Sequence, residues 1–188
     1  PCDELAGDIL NVFLLDENSI ALYLLDVSGH GVPAALLSVA LSQILSPSRG
    51  ASSFVRIIGP DGTSQPAQPA GVASRLNERF QMSDTNEQYF TLLYGLLNAT
   101  TRELCYVCAG HPSPAYVPSG RPPEYLTIAS DAVGWLEDAQ YEEVRLTLRP
   151  GDRLYWFSDG VIEAVNAAQD AYGRERLIEF LEQNRAVP

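Results

Sequence analysis

Leu24-Leu25-Asp26-Val27-Ser28-Gly29-His30-Gly31-Val32 is the stretch on which the fold turns. An apolar run, Ile20 to Leu25, delivers one carboxylate, Asp26. Two glycines then turn the chain, and a helix-like run, Pro33 to Leu45, follows at once. Glycine lets backbone approach a ligand closely. The first free N–H groups of a helix favour an anion beside them. A carboxylate held at the rim of a buried sheet needs a cation to balance it.

Upstream, Ile9 to Leu15 is an apolar run with strand character, Asp16-Glu17-Asn18 is a turn signal, and Ser19 to Leu25 is the return strand. The three together read as a hairpin. Asp8 opens the first strand and Asp26 closes the second, so an antiparallel pairing puts both carboxylates at one edge of the sheet. Downstream, Pro33 to Leu45 is apolar nearly all round, with proline in the first turn as helices prefer, and is expected to be a buried helix. Ser46 to Gly71 is rich in Ser, Pro, Gly and Gln and reads as a long loop, with a short strand or a docking segment at Phe54–Ile58. Helical spacing returns at Val72, Leu76 and Phe80, predicting a helix over 72–82.

The period then changes. Strands are predicted over 89–97, 104–109, 115–117, 125–128, 141–148 and 153–157, and an amphipathic helix over 172–185. Hairpin-linked strands with helices in separate blocks indicate an α+β layout with largely antiparallel sheets. No internal repeat is visible, and the 188 residues suffice for one domain with a real core.

Bulk composition excludes several classes. Hydrophobic residues make up 46 %, which suits a globular chain. No apolar run is long enough for a membrane span, and no signal peptide or lipid-attachment motif is visible. A net charge of −12 argues against nucleic acid, which selects for basic patches. Most of the 24 acids read as a solvated surface, with a minority gathered around cations. Cys105 and Cys108 spell C-x-x-C, yet they lie three apart on a predicted strand and so face opposite ways. Buried thiols in a reducing cytoplasm are the reading, and with Cys2 as a third cysteine and only two histidines a zinc site is not expected. The chain starts without Met and stops just after a helical pattern, which reads as a fragment of something longer.

Three acids stand at strand ends beside glycine or small residues: Asp8 in Ala6-Gly7-Asp8, Asp26, and Asp159 in Phe157-Ser158-Asp159-Gly160. Mg²⁺ and Mn²⁺ take oxygen ligands and keep much of their water. Two such ions about 4 Å apart activate a water and steady a phosphate oxygen. Asp26 is the natural bridge, with the Val27 carbonyl as a further ligand. An Asp-Gly at a strand end is also an ordinary turn or cap, so the weight lies in the three together. His30 and His111 read as parts of their turns. Ser28 is not on a nucleophile elbow and has no evident base.

Gly7-Asp8, Asp26-Val-Ser-Gly-His-Gly-Val-Pro-Ala-Ala-Leu36, Phe90-Thr-Leu-Leu-Tyr-Gly95, Ala109-Gly-His-Pro-Ser-Pro114 and Ser158-Asp159-Gly-Val-Ile-Glu163 occur in that order. The series resembles the SpoIIE/RsbU branch of the bacterial metal-dependent protein phosphatases, the protein phosphatase 2C-like class, from about Gly7 to Leu177. The resemblance implies a four-layer αββα sandwich of two mainly antiparallel sheets flanked by helices, spanning the chain as a single domain truncated at both ends. It implies two Mn²⁺ or Mg²⁺ ions and hydrolysis of phosphoserine or phosphothreonine in a protein by metal-activated water. Carried over by position, Asp26 resembles the bridging ligand, Val27 the carbonyl ligand, Asp159 a ligand of the first ion and Asp8 a further acid of the centre. Asp26 and Asp159 are thus the expected catalytic pair. Ser28 falls where the eukaryotic branch has a histidine proposed as general acid.

Three departures stand out, one being that the strand expected before Gly7 is mostly missing. Asn11 replaces a second Asp often found three residues after the first. The family's last strand, with an Asp-Asp-x-Thr motif and another metal ligand, would lie beyond Pro188. Relatives of this kind often form the output end of a receiver or sensor protein and act on phosphorylated anti-sigma-factor antagonists, which implies a cytoplasmic signalling role without nucleic acid or membrane. The second expectation, from another class, is a catalytically weak adaptor that keeps the fold and binds a regulatory partner.

Overall fold

The hairpin of β1 (Ile9–Leu14) and β2 (Ser19–Val27) begins the fold. Its turn is closed by Asp16, whose Oδ1 accepts the amides of Asn18 at 3.0 Å and Ser19 at 2.8 Å. Residues 7–47, 53–83, 88–128 and 130–185 are described by the structure, a computed structural model. They fall into two compact units, one formed by the chain up to His111 with the segment ending at Thr147, the other by Pro112–Ile128 and the chain from Leu148 onward.

In the first unit β2 is flanked by β1 on one side and β5 (Phe90–Asn98) on the other, followed by β6 (Glu103–Ala109) and β9 (Val144–Thr147), every pair antiparallel. Alternation along these strands sends Ala21, Tyr23, Leu25, Val27, Leu92, Tyr94 and Val107 to one face. There they pack with α1 (Val32–Ile44) and α2 (Pro69–Arg79) in a core that includes Ala34, Leu41, Val72 and Leu76. The polar turns of the two hairpins meet at one end of the sheet, where Thr100 Oγ1 donates to Asn18 Oδ1 at 2.9 Å.

Two expectations are corrected here. The helix α1 is buried along one face only, through Ala34, Ser38 and Leu41, while Val32, Leu36 and Val39 are exposed. Its apolar composition exceeds what a single sheet face can cover. The stretch 46–71 is not one long loop. It contains a hairpin, β3 (Arg56–Ile58) with β4 (Ser64–Pro66), and the start of α2. The buried Arg56 guanidinium holds the hairpin, donating to Ser64 Oγ at 2.7 Å and to the Leu15 carbonyl at 2.7 Å. A long-range staple of that kind leaves no periodicity to read.

Cys105 and Cys108 lie on β6 at positions of opposite facing, and both are buried free thiols. Cys105 donates to Glu143 Oε2 at 3.3 Å, and burial together with that carboxylate pushes its thiol up to about 12. Cys2 lies outside the described residues.

The second unit has its own antiparallel sheet, in the order β10 (Arg153–Tyr155), β7 (Ala115–Val117), β8 (Glu124–Tyr125). A one-turn helix, α3 (Asp159–Ile162), and α4 (Gly173–Gln183) complete it. Its core is small: Ala115, Val117, Phe157 and Leu181, joined by the partly buried Tyr155, Leu177 and Ile178. Among the described residues no helix is long and apolar enough to cross a membrane.

Candidate metal centre

The strand β2 runs two residues further than its apolar pattern predicts, so Asp26 and Val27 are inside the sheet rather than after it. Ile9 pairs with Leu25. One step outward, the same register sets Asp8 against Asp26. On the other side Asp26 pairs with Thr91 of β5. Asp26 is therefore paired on the β5 flank and half-buried, while Asp8, one residue before β1, is exposed. Leu25 and Val27 point into the helix-covered core, so Asp26 and Thr91 project from the opposite face.

Gly7 has a specific steric reason to be glycine. A Cβ there would come within 2.8 Å of the Val27 carbonyl oxygen and 3.2 Å of its nitrogen. A side chain at position 7 would fill the space beside that carbonyl. Asn11, three positions past Asp8, belongs to the other face of β1. It is exposed, and its Oδ1 accepts the neighbouring Val12 amide at 2.9 Å.

The turn after Val27 is tied to β5. The Ser28 amide donates to the Tyr89 carbonyl at 2.9 Å, and Ser28 Oγ accepts the Tyr89 amide at 3.0 Å. The hydroxyl thus extends the ladder. Gly29 and Gly31 have φ of +87° and +78°, and a Cβ on either would meet nothing within 4 Å. What these two glycines supply is backbone sign rather than closeness of packing. His30 between them is exposed. Gly31 caps α1 with no side-chain hydrogen bond, and no acid stands in the first turn.

His111, read from sequence only as part of its turn, lies beside this site. His111 is buried, and its Nδ1 lies 2.7 Å from Thr91 Oγ1, next to Asp26 in the register. Residues 26, 91 and 111 are far apart in sequence, and only the strand register joins them.

Asp159 belongs to the second unit and is described there by itself. It is the first residue of α3, half-buried, after Ser158 at the cap, and its carbonyl accepts the Glu163 amide at 2.8 Å. The structure thus brings Asp8, Asp26 and Val27 together. Among the described residues no group of three or more His, Cys, Asp and Glu side chains is placed to hold a metal ion. An all-oxygen set of two carboxylates and a backbone carbonyl nonetheless suits Mg²⁺ or Mn²⁺, which bind through one or two carboxylates and retain waters.

Known proteins bear on this arrangement. A family model described as Stage II sporulation protein E (SpoIIE) matches residues 16–188. The phosphoserine phosphatase RsbP of Bacillus subtilis (strain 168) is 27 % identical over 160 residues, covering 85 % of this chain and 37 % of the relative. The phosphoserine phosphatase RsbU of the same organism is 26 % identical over 167 residues, covering 87 % of this chain and 44 % of the relative. The chain therefore spans less than half the length of either. Among solved structures, the SiaA-PP2C domain of Pseudomonas aeruginosa superposes with a TM-score of 0.73 at 20 % identity, over 97 % of this chain and 68 % of that one. That likeness establishes the expected fold, an α+β architecture of antiparallel sheets and helices shared with PP2C-type domains.

Proposed function

The chain belongs to the SpoIIE family, and from that premise we propose that it is a metal-dependent serine/threonine protein phosphatase acting in bacterial signalling. The observation that carries the proposal is the register that runs from Ile9 and Leu25 outward to Asp8 and Asp26 at one sheet edge, with the Gly7 backbone packed closely against Val27. Asp8, Asp26 and the Val27 carbonyl are the proposed ligands in the first unit, Asp159 of the second unit is proposed as a ligand from the family resemblance alone, and two Mn²⁺ or Mg²⁺ ions are the proposed complement. When bound, such ions lower the pKa of coordinated water and offset charge on a phosphoryl group.

The chain's own residues prepare the site. Asp26, held between two strands, has little freedom to lose on engaging a cation, which favours a fixed geometry. Ser28 Oγ accepts the Tyr89 amide, and the proposed nucleophile is a metal-activated water rather than this hydroxyl. The Gly29–Gly31 turn leads into the uncapped N-terminus of α1, which favours a phosphate nearby.

The proposed substrate is a phosphoserine or phosphothreonine protein of the anti-sigma-factor antagonist kind, and the 188 residues are proposed to be a single domain of a longer chain with a receiver or sensor region. Two free buried thiols suit a cytoplasmic setting. The test is phosphate release from a phosphoserine peptide with added Mn²⁺. Turnover that is lost with chelator and in Asp26→Asn is expected. Turnover that survives either would overturn the metal assignment. Binding of the phosphoprotein without any turnover would point to the adaptor reading, which the lack of a three-side-chain cluster among the described residues favours.

A further inference from the structure

His111 is held more firmly than a packed core histidine requires. The Gly110 amide donates to the Ser130 carbonyl at 3.0 Å, Ser130 Oγ donates to the Cys108 carbonyl at 3.0 Å, and the Cys108 thiol donates to the His111 carbonyl at 3.1 Å. Gly110, at φ +65°, lies so close to Ala132 that a Cβ would come within 2.7 Å of its Cα. These constraints fix the turn after β6, and with it the imidazole, whose residue is 6 % exposed. The imidazole Nδ1 is 2.7 Å from Thr91 Oγ1. Thr91 is in turn the register partner of Asp26. Directly opposed residues share a face with Cβ atoms about 5 Å apart, within reach of a hydroxyl and a carboxylate.

We propose that His111 and Thr91 form a positioning pair for Asp26: Nδ1–H donates to Thr91 Oγ1, and the Thr91 hydroxyl donates its own proton to the Asp26 carboxylate. A hydroxyl has one proton to give and lone pairs to receive. With the imidazole proton on Nδ1, the threonine proton is released for Asp26. With the proton on Nε2 alone, the threonine proton is spent on Nδ1 and none passes from Thr91 to the carboxylate. The pair orients the carboxylate before a cation arrives, as outer partners of metal ligands do. The inference rests on the reading of Asp26 as a ligand, and it makes Thr91 and His111 positioning rather than catalytic residues.

Two measurements on the full chain test it. Long-range ¹⁵N–¹H spectra of labelled imidazole, recorded without metal, are expected to show His111 protonated at Nδ1. An Nε2–H tautomer would overturn the pair. In calorimetric titration with MnCl₂, at a temperature where circular dichroism shows the metal-free variant folded, Thr91→Val is expected to weaken binding by about 10- to 100-fold. Thr91→Ser restores binding. His111→Asn, whose amide reaches the Nδ1 position, retains more affinity than His111→Ala. Thr91→Val with His111→Ala binds no more weakly than Thr91→Val alone, because the two act in series. Wild-type affinity in Thr91→Val, or additive losses in the double variant, would overturn the pair. Asp26→Asn separates the levels. Binding abolished there but intact in Thr91→Val removes only the pair. Binding intact in Asp26→Asn removes the metal reading itself and the pair with it.

Discussion

The two ends of the five-stranded sheet carry the same residue type to different purposes. At one end Asp16 follows a strand, and its own turn folds back so that the amides of Asn18 and Ser19 satisfy its carboxylate. At the other end Asp26 closes the partner strand, but the chain leaves it through Gly29 and Gly31 into α1. Its neighbours are Asp8 on one flank and Thr91 on the other. An aspartate at a strand end is structural when the loop returns to it and becomes available for chemistry when the loop departs. The difference lies in the following four or five residues, not in the aspartate.

That contrast is open to direct attack, beginning with the largest effect. Asp26→Asn is expected to lower phosphatase turnover by about 10³-fold, several kcal/mol of lost transition-state stabilisation, whereas Asp16→Ala leaves turnover unchanged. Equal losses in the two would erase the distinction. Next comes the face of α1 that supports the Asp26 end. Leu41→Ala is expected to cost about 2–5 kcal/mol in denaturant unfolding, because Leu41 is fully buried. Leu36→Ala, 66 % exposed at the start, is expected to stay within about 0.5 kcal/mol.

Smaller than the Leu41→Ala effect is that of Asp16→Ala itself, at about 1 kcal/mol for the lost turn bonds. Its pH dependence has a defined sign. Partial desolvation pulls the Asp16 pKa up, but the Asn18 and Ser19 hydrogen bonds and the nearby Arg56 outweigh it and leave the value lowered. The contribution is therefore fully present above the unfolded carboxylate value of about 3.9 and disappears as pH falls through the lowered folded value. Thermal midpoints of wild type and Asp16→Ala are expected to differ at pH 7 and to converge in strong acid. Least of all, iodoacetamide at pH 8 is expected to label folded Cys105 far more slowly than a free thiol, since burial holds it near 12.

The same contrast explains what could be read from sequence. The β1–β2 hairpin and the edge shared by Asp8 and Asp26 were legible because apolar runs, a turn signal and antiparallel geometry are all local. The hairpin at 56–66 was not, because Arg56 holds it to Leu15 across the fold and its strands are three residues long. The start of α2 at Pro69 was hidden by the Pro- and Gln-rich segment before it, although proline in a first helical turn is itself a signal. The exposed stripe on α1 escaped notice because composition alone does not say how much sheet is available to cover a helix. Thr91 and His111 stood inside two of the quoted motifs, but nothing local joined them to Asp26. Only the register that sets residue 91 against residue 26 shows them as neighbours of the site.

The most direct test of the central claim is calorimetric titration of the chain with MnCl₂, wild type against Asp26→Asn. Saturable binding in the wild type that vanishes in the variant is the predicted result. Binding of equal strength in both would contradict the assignment of Asp26 as the residue on which the metal centre is built.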